Sequence, residues 1–291
     1  MRALVFGESG QVARELARVA AERGIEARFL ARADADLSDP EACARAVRAA
    51  DVEIVLNAAA WTEVDRAEDE PALAETVNAA APGAMAAAAA ARGVPILHIS
   101  TDYVFEGEPG RPWREDDHTH PLNVYGATKL AGERLVAAQN PDHAILRTAW
   151  VFSAHGRNFV RTMLAVGRGR EAMRVVDDQC GGPTWAGDIA TALWTIAEAW
   201  AAGEGRAGVF HYAGAPAVSW AGFATAIFAR SGWSTPPEVV PIASSEWPTR
   251  AARPKNSVLD CAAIAEAYGI AQPDWRPALA RVIAEIGETT G

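Results

Sequence analysis

Tyr125 and Lys129 are the residues of this sequence whose types and spacing best suit acid–base chemistry. The 291-residue chain has four tyrosines and only two lysines, and Lys129 follows Tyr125 by four positions. Residues at this spacing share one face of a helix, about 5–6 Å apart. An ammonium beside a phenol favours the phenolate and lowers its pKa from about 10 toward neutrality. The pair therefore predicts a general acid–base group that works near neutral pH.

A second polar group, Ser100, Thr101 and Asp102, stands at the end of a predicted buried strand from Pro95 to Ile99. In open parallel sheets, ligands bind beyond the carboxyl ends of the strands. The Thr101 hydroxyl and the Asp102 carboxylate are therefore well placed for chemistry. The alternative is that the Ser100 and Thr101 hydroxyls only satisfy nearby backbone groups.

A glycine-rich turn follows the first predicted strand and precedes a predicted helix. Gly7 permits the tight turn, and Gly10 lets the backbone approach a pyrophosphate at the helix N-terminus. Ala13 is small enough for close packing of that helix. The spacing Gly-x-x-Gly-x-x-Ala differs from the Gly-x-Gly-x-x-Gly fingerprint, so a plain strand-to-helix turn is the alternative. Its position directly after the first strand favours cofactor binding.

The second predicted strand, Ala27 to Ala31, ends in Arg32 rather than in an acidic residue. An acid there would bind the ribose 2′-hydroxyl of NAD(H), whereas a cation suits the 2′-phosphate of NADP(H). NADPH is therefore at least as good a candidate as NADH, although Arg32 could simply be solvated. Asp36 and Leu37 could flank the adenine.

The order of elements predicts an α/β protein. Strands and helices alternate through about residue 150, and the small residues Ala58, Ala59 and Ala60 follow the third predicted strand, where a flat ligand could approach. This alternation is typical of a Rossmann-type doubly wound parallel sheet, here with a smaller C-terminal α/β substrate lobe. We expect a dinucleotide-binding domain of residues 1–150 plus about 183–215, and a sugar-nucleotide-binding lobe of about 151–182 and 216–291.

Composition limits the class of protein. Half of the residues are hydrophobic, 22% are charged, and the net charge is −10, which argues against a broad nucleic-acid surface. The three cysteines are scattered, as expected in a reducing compartment. We see no signal peptide and no apolar stretch of the roughly 20 residues that a membrane span needs. These features predict a cytoplasmic protein that does not interact with membranes.

The motifs together resemble the extended short-chain dehydrogenase/reductases, and more narrowly the dTDP-4-dehydrorhamnose reductase family. The resemblance runs from residue 6 to about 260. Its blocks are Phe6-Gly7-x-x-Gly10-Gln11-Val12, Val55-Leu56-Asn57-Ala58-Ala59-Ala60, Ser100-Thr101-Asp102-Tyr103-Val104-Phe105, Pro121-Leu122-Asn123-Val124-Tyr125-Gly126 with Lys129, Arg147-Thr148-Ala149-Trp150-Val151 and Arg253-Pro254-x-Asn256-Ser257-x-Leu259.

This resemblance implies hydride transfer from NADPH or NADH to C4 of dTDP-4-dehydro-6-deoxy-L-mannose. Tyr125 would protonate the forming alkoxide, Lys129 would lower the phenol pKa and hold the nicotinamide ribose, and Thr101 would bind the reacting oxygen. The implied cofactor-binding residues are Gly7, Gly10, Gln11, Val12, Arg32, Asp36, Leu37, Ala58, Ala59, Ala60, Ile99, Tyr125 and Lys129. The implied substrate-binding residues are Thr101, Asp102, Trp150, Asn158, Gln179 and Arg253.

A metal and a homodimer are left open by the resemblance. Some family members bind magnesium between subunits through glutamate side chains. Glu15 matches one of these positions, but Gly187 stands near another, with Asp188 beside it.

Three other functions remain as alternatives. Sugar-nucleotide 4,6-dehydratases have an Asp-Glu pair after the threonine, whereas Tyr103 follows Asp102 here, which favours a reductase. An epimerase would use the same tyrosine and lysine. A non-catalytic dinucleotide-binding regulatory subunit would not need Thr101, Tyr125 and Lys129 all intact.

Overall fold

A computed structural model describes residues 1–108 and 110–290, with side chains as far as residue 287. Gly291, the last residue of the predicted substrate lobe, lies outside the described residues. The first half of the chain contains β1 (Arg2–Phe6), α1 (Gln11–Arg23), β2 (Glu26–Leu30), α2 (Pro40–Ala49), β3 (Ile54–Asn57), α3 (Val64–Ala67), α4 (Pro71–Glu75), a π-helical turn (Thr76–Ala80), α5 (Ala81–Ala90), β4 (Ile96–Thr101), a 3-10 turn (Asp102–Val104), α6 (Val124–Gln139) and β5 (His143–Thr148).

The second half has shorter strands between its helices. It contains β6 (Val151–Phe152), α7 (Phe159–Gly167), β7 (Ala172–Val176), β8 (Cys180–Gly181), β9 (Thr184–Trp185), α8 (Ala186–Ala201), β10 (Gly208–His211), β11 (Val218–Ser219), α9 (Trp220–Phe228), β12 (Glu238–Ile242), a second 3-10 turn (Ser244–Glu246), β13 (Asn256–Ser257), α10 (Ala262–Tyr268) and α11 (Trp275–Thr290).

Six parallel strands form the central sheet in the order β10-β5-β4-β3-β1-β2. The chain leaves β1 toward β2 at one edge and then returns to β3 on the other side of β1. This reversal is the topological switch point, where open α/β sheets bind ligands beyond the carboxyl ends of the strands. Gly7 and Ala58 directly follow the two strands at this point.

Both faces of the sheet are covered, which explains why its strands are nearly continuous apolar runs. Helices α1 and α8 pack on one face, with the buried side chains of Leu16 and Trp194 in that layer. Helices α2 and α5 pack on the other face, where Val47 and Met85 are buried. The predicted fold class, a doubly wound α/β sheet, is confirmed.

The C-terminal part has a hydrophobic core of its own. Phe223, Ile227, Trp275, Leu279 and Val282 are buried in it. Around it lie three small sheets, β11-β8-β13, β12-β7 and β6-β9. The segment predicted to return to the central sheet does so, as β10 beside β5. The division of the chain into two domains stays a prediction.

Two elements are interrupted in the structure. The apolar stretch from Ala144 to Phe152 is broken into β5 and β6, because Trp150 has φ +48°, a left-handed conformation that bulky residues rarely adopt. The helical stretch from Pro71 to Ala90 contains the π-helical turn. There Asn78 accepts a hydrogen bond from the Trp61 amide at 2.8 Å and donates one to Thr128 of α6 at 3.1 Å.

Candidate active site

The first turn of α6 places Tyr125 at the carboxyl end of β4. Asn123 caps this helix by accepting a hydrogen bond from the Gly126 amide at 2.8 Å. A Cβ at Gly126 would lie 2.1 Å from the Tyr103 carbonyl oxygen, so only glycine lets the helix approach the turn that follows β4. The close approach brings the Tyr125 phenol near enough to Thr101 for the two side chains to interact.

Thr101 is the centre of a short hydrogen-bonded chain. Its Oγ1 donates to Asp102 Oδ1 at 3.0 Å and accepts from the Tyr103 amide at 3.2 Å. Burial raises the pKa of Asp102 to about 6, although Ser257 and Thr101 both oppose that rise. The structure therefore brings together the predicted Tyr125, Thr101 and Asp102. The Ser100 hydroxyl is also buried, but it has no hydrogen-bond partner among the residues described.

Lys129 lies one turn further along α6, but its ammonium group does not lower the Tyr125 pKa. Lys129 is buried, and its Nζ donates to the Ile99 carbonyl oxygen at 2.6 Å. Burial raises the pKa of Tyr125 to about 12 and lowers that of Lys129 to about 8. The predicted lowering of the phenol pKa is therefore wrong for this arrangement, because removal from water is the largest influence on the phenol.

The turn after β1 fits an anionic ligand. Gly7 has φ +109°, and a Cβ there would lie 3.4 Å from the Ala58 carbonyl carbon. Helix α1 begins at Gln11 with no side-chain cap from any residue that the structure describes. Its free backbone N–H groups and positive dipole end suit phosphate oxygens. Gln11 and Val12 form its first turn, while Ala58, Ala59 and Ala60 line the end of β3.

The residues after β2 are arranged differently from the prediction. The Arg32 side chain is 81% exposed, and its Nε donates to Asp36 at 2.9 Å. Asp36 also accepts from the Ser38 amide, and both contacts lower its pKa. Leu37 is buried in the core beside β2 and β3 rather than open to a ligand. Most of the Arg32 side chain is exposed to solvent, so its guanidinium group is accessible to a 2′-phosphate. Asp36 and Leu37 instead contact other parts of the chain.

Trp150 is held rigidly at the end of β5. Its indole stacks on Trp220, and a Cβ at Gly181 would lie 2.6 Å from Trp150 Cε2. Trp220 and Gly181 thus both lie against the Trp150 ring and support its left-handed backbone. Sequence reasoning missed Trp220 and Gly181, which carry no recognisable motif and meet Trp150 only through folding.

Asn158 and Arg253, two of the implied substrate-binding residues, also make contacts within the chain. Asn158 caps α7 and donates to Gln11 Oε1 at 2.9 Å and to the Ser153 carbonyl oxygen at 2.8 Å. Arg253 donates to both carboxylate oxygens of Asp65, at 3.1 and 2.7 Å. These contacts join distant parts of the chain, and the role of both residues in substrate binding stays a prediction. Gln179 is buried between β7 and β8.

Glu15 is engaged by an arginine. The Arg18 Nε donates to its carboxylate at 2.8 Å, and Glu15 is only 3% exposed. Arg18 and Arg281 both lie over the Trp185 ring, and Arg281 also lowers the pKa of Asp188, which burial raises to about 6. Within residues 1–108 and 110–290, no group of three or more His, Cys, Asp or Glu side chains could hold a metal ion. The possible metal role of Glu15 is therefore not supported by its contacts.

His98 is a site residue that sequence reasoning did not single out, and it contacts Asn57 of the third strand. The His98 ring lies between Asn57 and Lys129, with Nδ1 3.1 Å from Asn57 Nδ2 and Nε2 3.4 Å from Lys129 Nζ. A polar residue within the apolar run of β4 was the available signal.

No helix of the described part of the chain is long and apolar enough to cross a membrane.

The site combines a dinucleotide-type turn at a topological switch point with a tyrosine, a lysine and a threonine around the end of β4. This combination defines an oxidoreductase of the extended short-chain dehydrogenase/reductase class. Comparison with known proteins narrows this class. Residues 1–288 match the family described as RmlD substrate binding domain, and the chain belongs to this family of dTDP-4-dehydrorhamnose reductases.

Three relatives illustrate the similarity. The dTDP-4-dehydrorhamnose reductase of Burkholderia thailandensis is 46% identical over 98% of this chain and 99% of its own. The crystal structure of a dTDP-4-dehydrorhamnose reductase from Clostridium acetobutylicum has a TM-score of 0.91 and 35% identity to this chain. The match covers 99% of this chain and 100% of the Clostridium chain. The Bacillus anthracis reductase in complex with NADP has a TM-score of 0.90 and 30% identity, covering 98% and 99%.

Proposed function

We propose that the protein reduces the C4 keto group of dTDP-4-dehydro-6-deoxy-L-mannose to give dTDP-L-rhamnose, with NADPH or NADH as reductant. The observation that carries this proposal is the placement of Tyr125 beside Thr101 at the end of β4, with Lys129 one helical turn away. The family, whose members include dTDP-4-dehydrorhamnose reductases from several bacteria, supports the sugar nucleotide as substrate.

The residues around Gly7 fit a dinucleotide. The uncapped start of α1 and the open space at Gly10, where a Cβ would meet nothing within 4 Å, suit a diphosphate. Arg32 lies at the end of β2 with most of its side chain exposed, where it could meet the 2′-phosphate of NADPH. When bound, the nicotinamide cofactor supplies a hydride.

Tyr125 is suited to supply the proton that must accompany the hydride. With its pKa raised to about 12, the phenol keeps its proton at neutral pH, as a general acid must. Thr101, which lies beside Tyr125, would hold the substrate oxygen near the phenol. Lys129, one helical turn further along α6, would hold the nicotinamide ribose.

Trp150 and Asp102 are the candidates for contact with the deoxysugar. The ring of Trp150 is fixed by Trp220, and a rigid aromatic face suits the apolar face of a sugar. We infer that residues of about 151–182 and 216–291 form the sugar-nucleotide lobe. Cytoplasmic location and a homodimer remain part of this proposal.

A dehydratase is less well supported. Tyr103 occupies the place where dehydratases carry the second carboxylate. It packs edge-on against Tyr125, with ring centroids 5.7 Å apart, and burial raises its pKa further above the usual value. Its phenol is therefore unable to act as a base at C5. An epimerase or a non-catalytic regulatory subunit remains the competing function.

The proposed reaction is tested by supplying the 4-keto sugar nucleotide with NADPH or NADH and following the loss of reduced-nicotinamide absorbance. Turnover is expected only with the sugar nucleotide present, and NMR of the product should show a rhamnose configuration at C4. Cofactor oxidation giving the talose epimer would indicate another 4-ketoreductase. The absence of oxidation together with a stoichiometric protein partner in a pull-down would favour the regulatory subunit.

A further inference from the structure

The imidazole of His98 lies between two hydrogen-bond donors. The residue is fully buried on β4, with Asn57 Nδ2 3.1 Å from its Nδ1 and Lys129 Nζ 3.4 Å from its Nε2. A neutral imidazole has one N–H donor and one acceptor nitrogen. It can therefore accept a hydrogen bond from Asn57 or from Lys129, but not from both.

The orientation of Asn57 decides which nitrogen accepts. Asn57 Oδ1 accepts a hydrogen bond from the Ala59 amide at 3.2 Å, and this contact fixes the oxygen and turns the NH2 group toward His98. The lone pair of His98 is then on Nδ1 and its hydrogen on Nε2. Burial, the largest influence, holds the pKa of His98 well below its usual value, so the ring does not carry a second proton.

The Nε2–H of His98 therefore faces Lys129 Nζ. An ammonium group has three donors and no acceptor, so it would oppose this N–H, whereas a neutral amine has a lone pair that accepts it. The amine still donates to the Ile99 carbonyl oxygen at 2.6 Å. The geometry thus favours the uncharged form of Lys129.

The charged groups around Lys129 do little to oppose its uncharged form. Glu133, on the same helix, is the carboxylate that favours the ammonium form, but Arg147 of β5 binds both its oxygens, at 2.9 and 2.7 Å. Asp102, from the turn after β4, is hydrogen-bonded to Thr101. Burial, the largest influence, lowers the pKa of Lys129 to about 8, in agreement with the hydrogen-bond pattern.

We propose that His98 is a positioning residue that favours the neutral amine form of Lys129 in the unliganded protein, and that binding of an anionic dinucleotide draws protons from solvent onto Lys129. The second part rests on the proposed function, since it needs NADH or NADPH at the carboxyl edge of the sheet. The negative charge of the diphosphate favours the ammonium form there. Cofactor binding would then create a cation on Lys129 beside the bound dinucleotide.

The tautomer of His98 tests the first part without any cofactor. Long-range ¹H–¹⁵N spectra of the unliganded protein at about pH 9 are expected to show the hydrogen on Nε2. The His98 signal is identified by its loss in the His98→Gln variant. If that variant does not fold, the signal is recognised as one that stays neutral in acid and shifts in Lys129→Met. A hydrogen on Nδ1 would mean that Lys129 donates to His98, and the inference would be overturned.

Calorimetry of NADH binding tests the second part. NADH lacks the 2′-phosphate, so the titration of that group does not contribute. The binding heat is compared in two buffers of different ionisation enthalpy, using the Tyr125→Phe background so that the phenol cannot release a compensating proton. We expect uptake of about half a proton at pH 8 and close to one proton a pH unit higher.

Matched variants distinguish the source of that proton. Lys129→Met in the same background should bind NADH without uptake. His98→Gln, which retains an N–H donor, should keep the uptake, and His98→Leu should reduce it at least twofold. Equal heats in both buffers would refute the inference but leave cofactor binding, and with it the proposed function, intact. If neither NADH nor NADPH binds, the proposed function and the uptake both fail, while the tautomer still decides the role of His98.

Discussion

The indole of Trp150 lies flat against the indole of Trp220, with ring centroids 3.4 Å apart and planes 6° from parallel. Trp150 belongs to the end of a central strand, whereas Trp220 begins α9 in the C-terminal part. The stack therefore joins the two halves of the chain at the proposed sugar site. It also supports a backbone conformation, φ +48° at Trp150, that is costly for a bulky residue.

Replacement of Trp220 by alanine should weaken sugar-nucleotide binding more than cofactor binding. An aromatic pair contributes about 1 kcal/mol beyond its burial, so the KM for the sugar nucleotide should rise about fivefold. Steady-state kinetics with each substrate varied in turn measures this. Trp233→Ala is the control, because Trp233 packs on Phe228 in the same core. An equal rise in KM in both variants would contradict the role of the stack.

Replacement of Tyr125 by phenylalanine should lower kcat by about 10²–10⁴-fold, the usual contribution of a general acid. Cofactor binding should persist, because the phenol acts mainly in the transition state. Single-turnover kinetics and cofactor titration separate the two effects. Tyr268→Phe removes a hydroxyl that bonds only the Arg206 backbone in the described structure, and it should leave kcat unchanged. Near-normal turnover of Tyr125→Phe would refute the assignment.

The buried Asp102 should destabilise the fold above about pH 6. Its folded pKa is raised from 3.8 to about 6, so the folded state keeps a proton that the unfolded state has lost. Its contribution to stability is fully present below pH 3.8 and is lost as pH rises to about 6.

The Asp102→Asn variant should therefore gain stability over the parent as pH rises. The gain in the free energy of unfolding should be near zero below pH 4 and reach about 3 kcal/mol above pH 6. Denaturant unfolding at several pH values measures it. Asp274→Asn is the control with the opposite sign, because contacts with Arg276 lower the pKa of Asp274 to about 2. A constant difference between Asp102→Asn and the parent across this pH range would contradict the prediction.

Activity should not depend on a divalent metal at Glu15. Since Arg18 occupies the Glu15 carboxylate at 2.8 Å, treatment with a chelator should leave kcat and Tm of the parent unchanged. The Arg18→Ala variant frees Glu15 beside Asp188, so added Mg²⁺ should raise its Tm by a few degrees. The comparison is made by thermal unfolding with and without Mg²⁺. A loss of parent activity on chelation would contradict the prediction that the ion pair between Arg18 and Glu15 makes a metal at Glu15 unnecessary.

Much of the scaffold could be predicted from local patterns. The apolar runs of β1, β3 and β4 and the glycine turn after β1 follow from rules that act over a few residues. The break at Trp150 could not be predicted in this way. Its left-handed backbone is supported by Trp220 and Gly181, which are distant in sequence.

The sequence by itself determined the glycine turn at Gly7 after the first strand, the helical spacing of Tyr125 and Lys129, and the family motifs. Only the tertiary structure decided how these groups are protonated and what holds them. The pKa of Tyr125 rises rather than falls. Arg253 forms an ion pair with Asp65, and Lys129 lies against His98 and the Ile99 carbonyl oxygen. The physical reason is that spacing fixes which side chains share a helix face, whereas burial and hydrogen-bond partners come from strands and loops that meet only on folding.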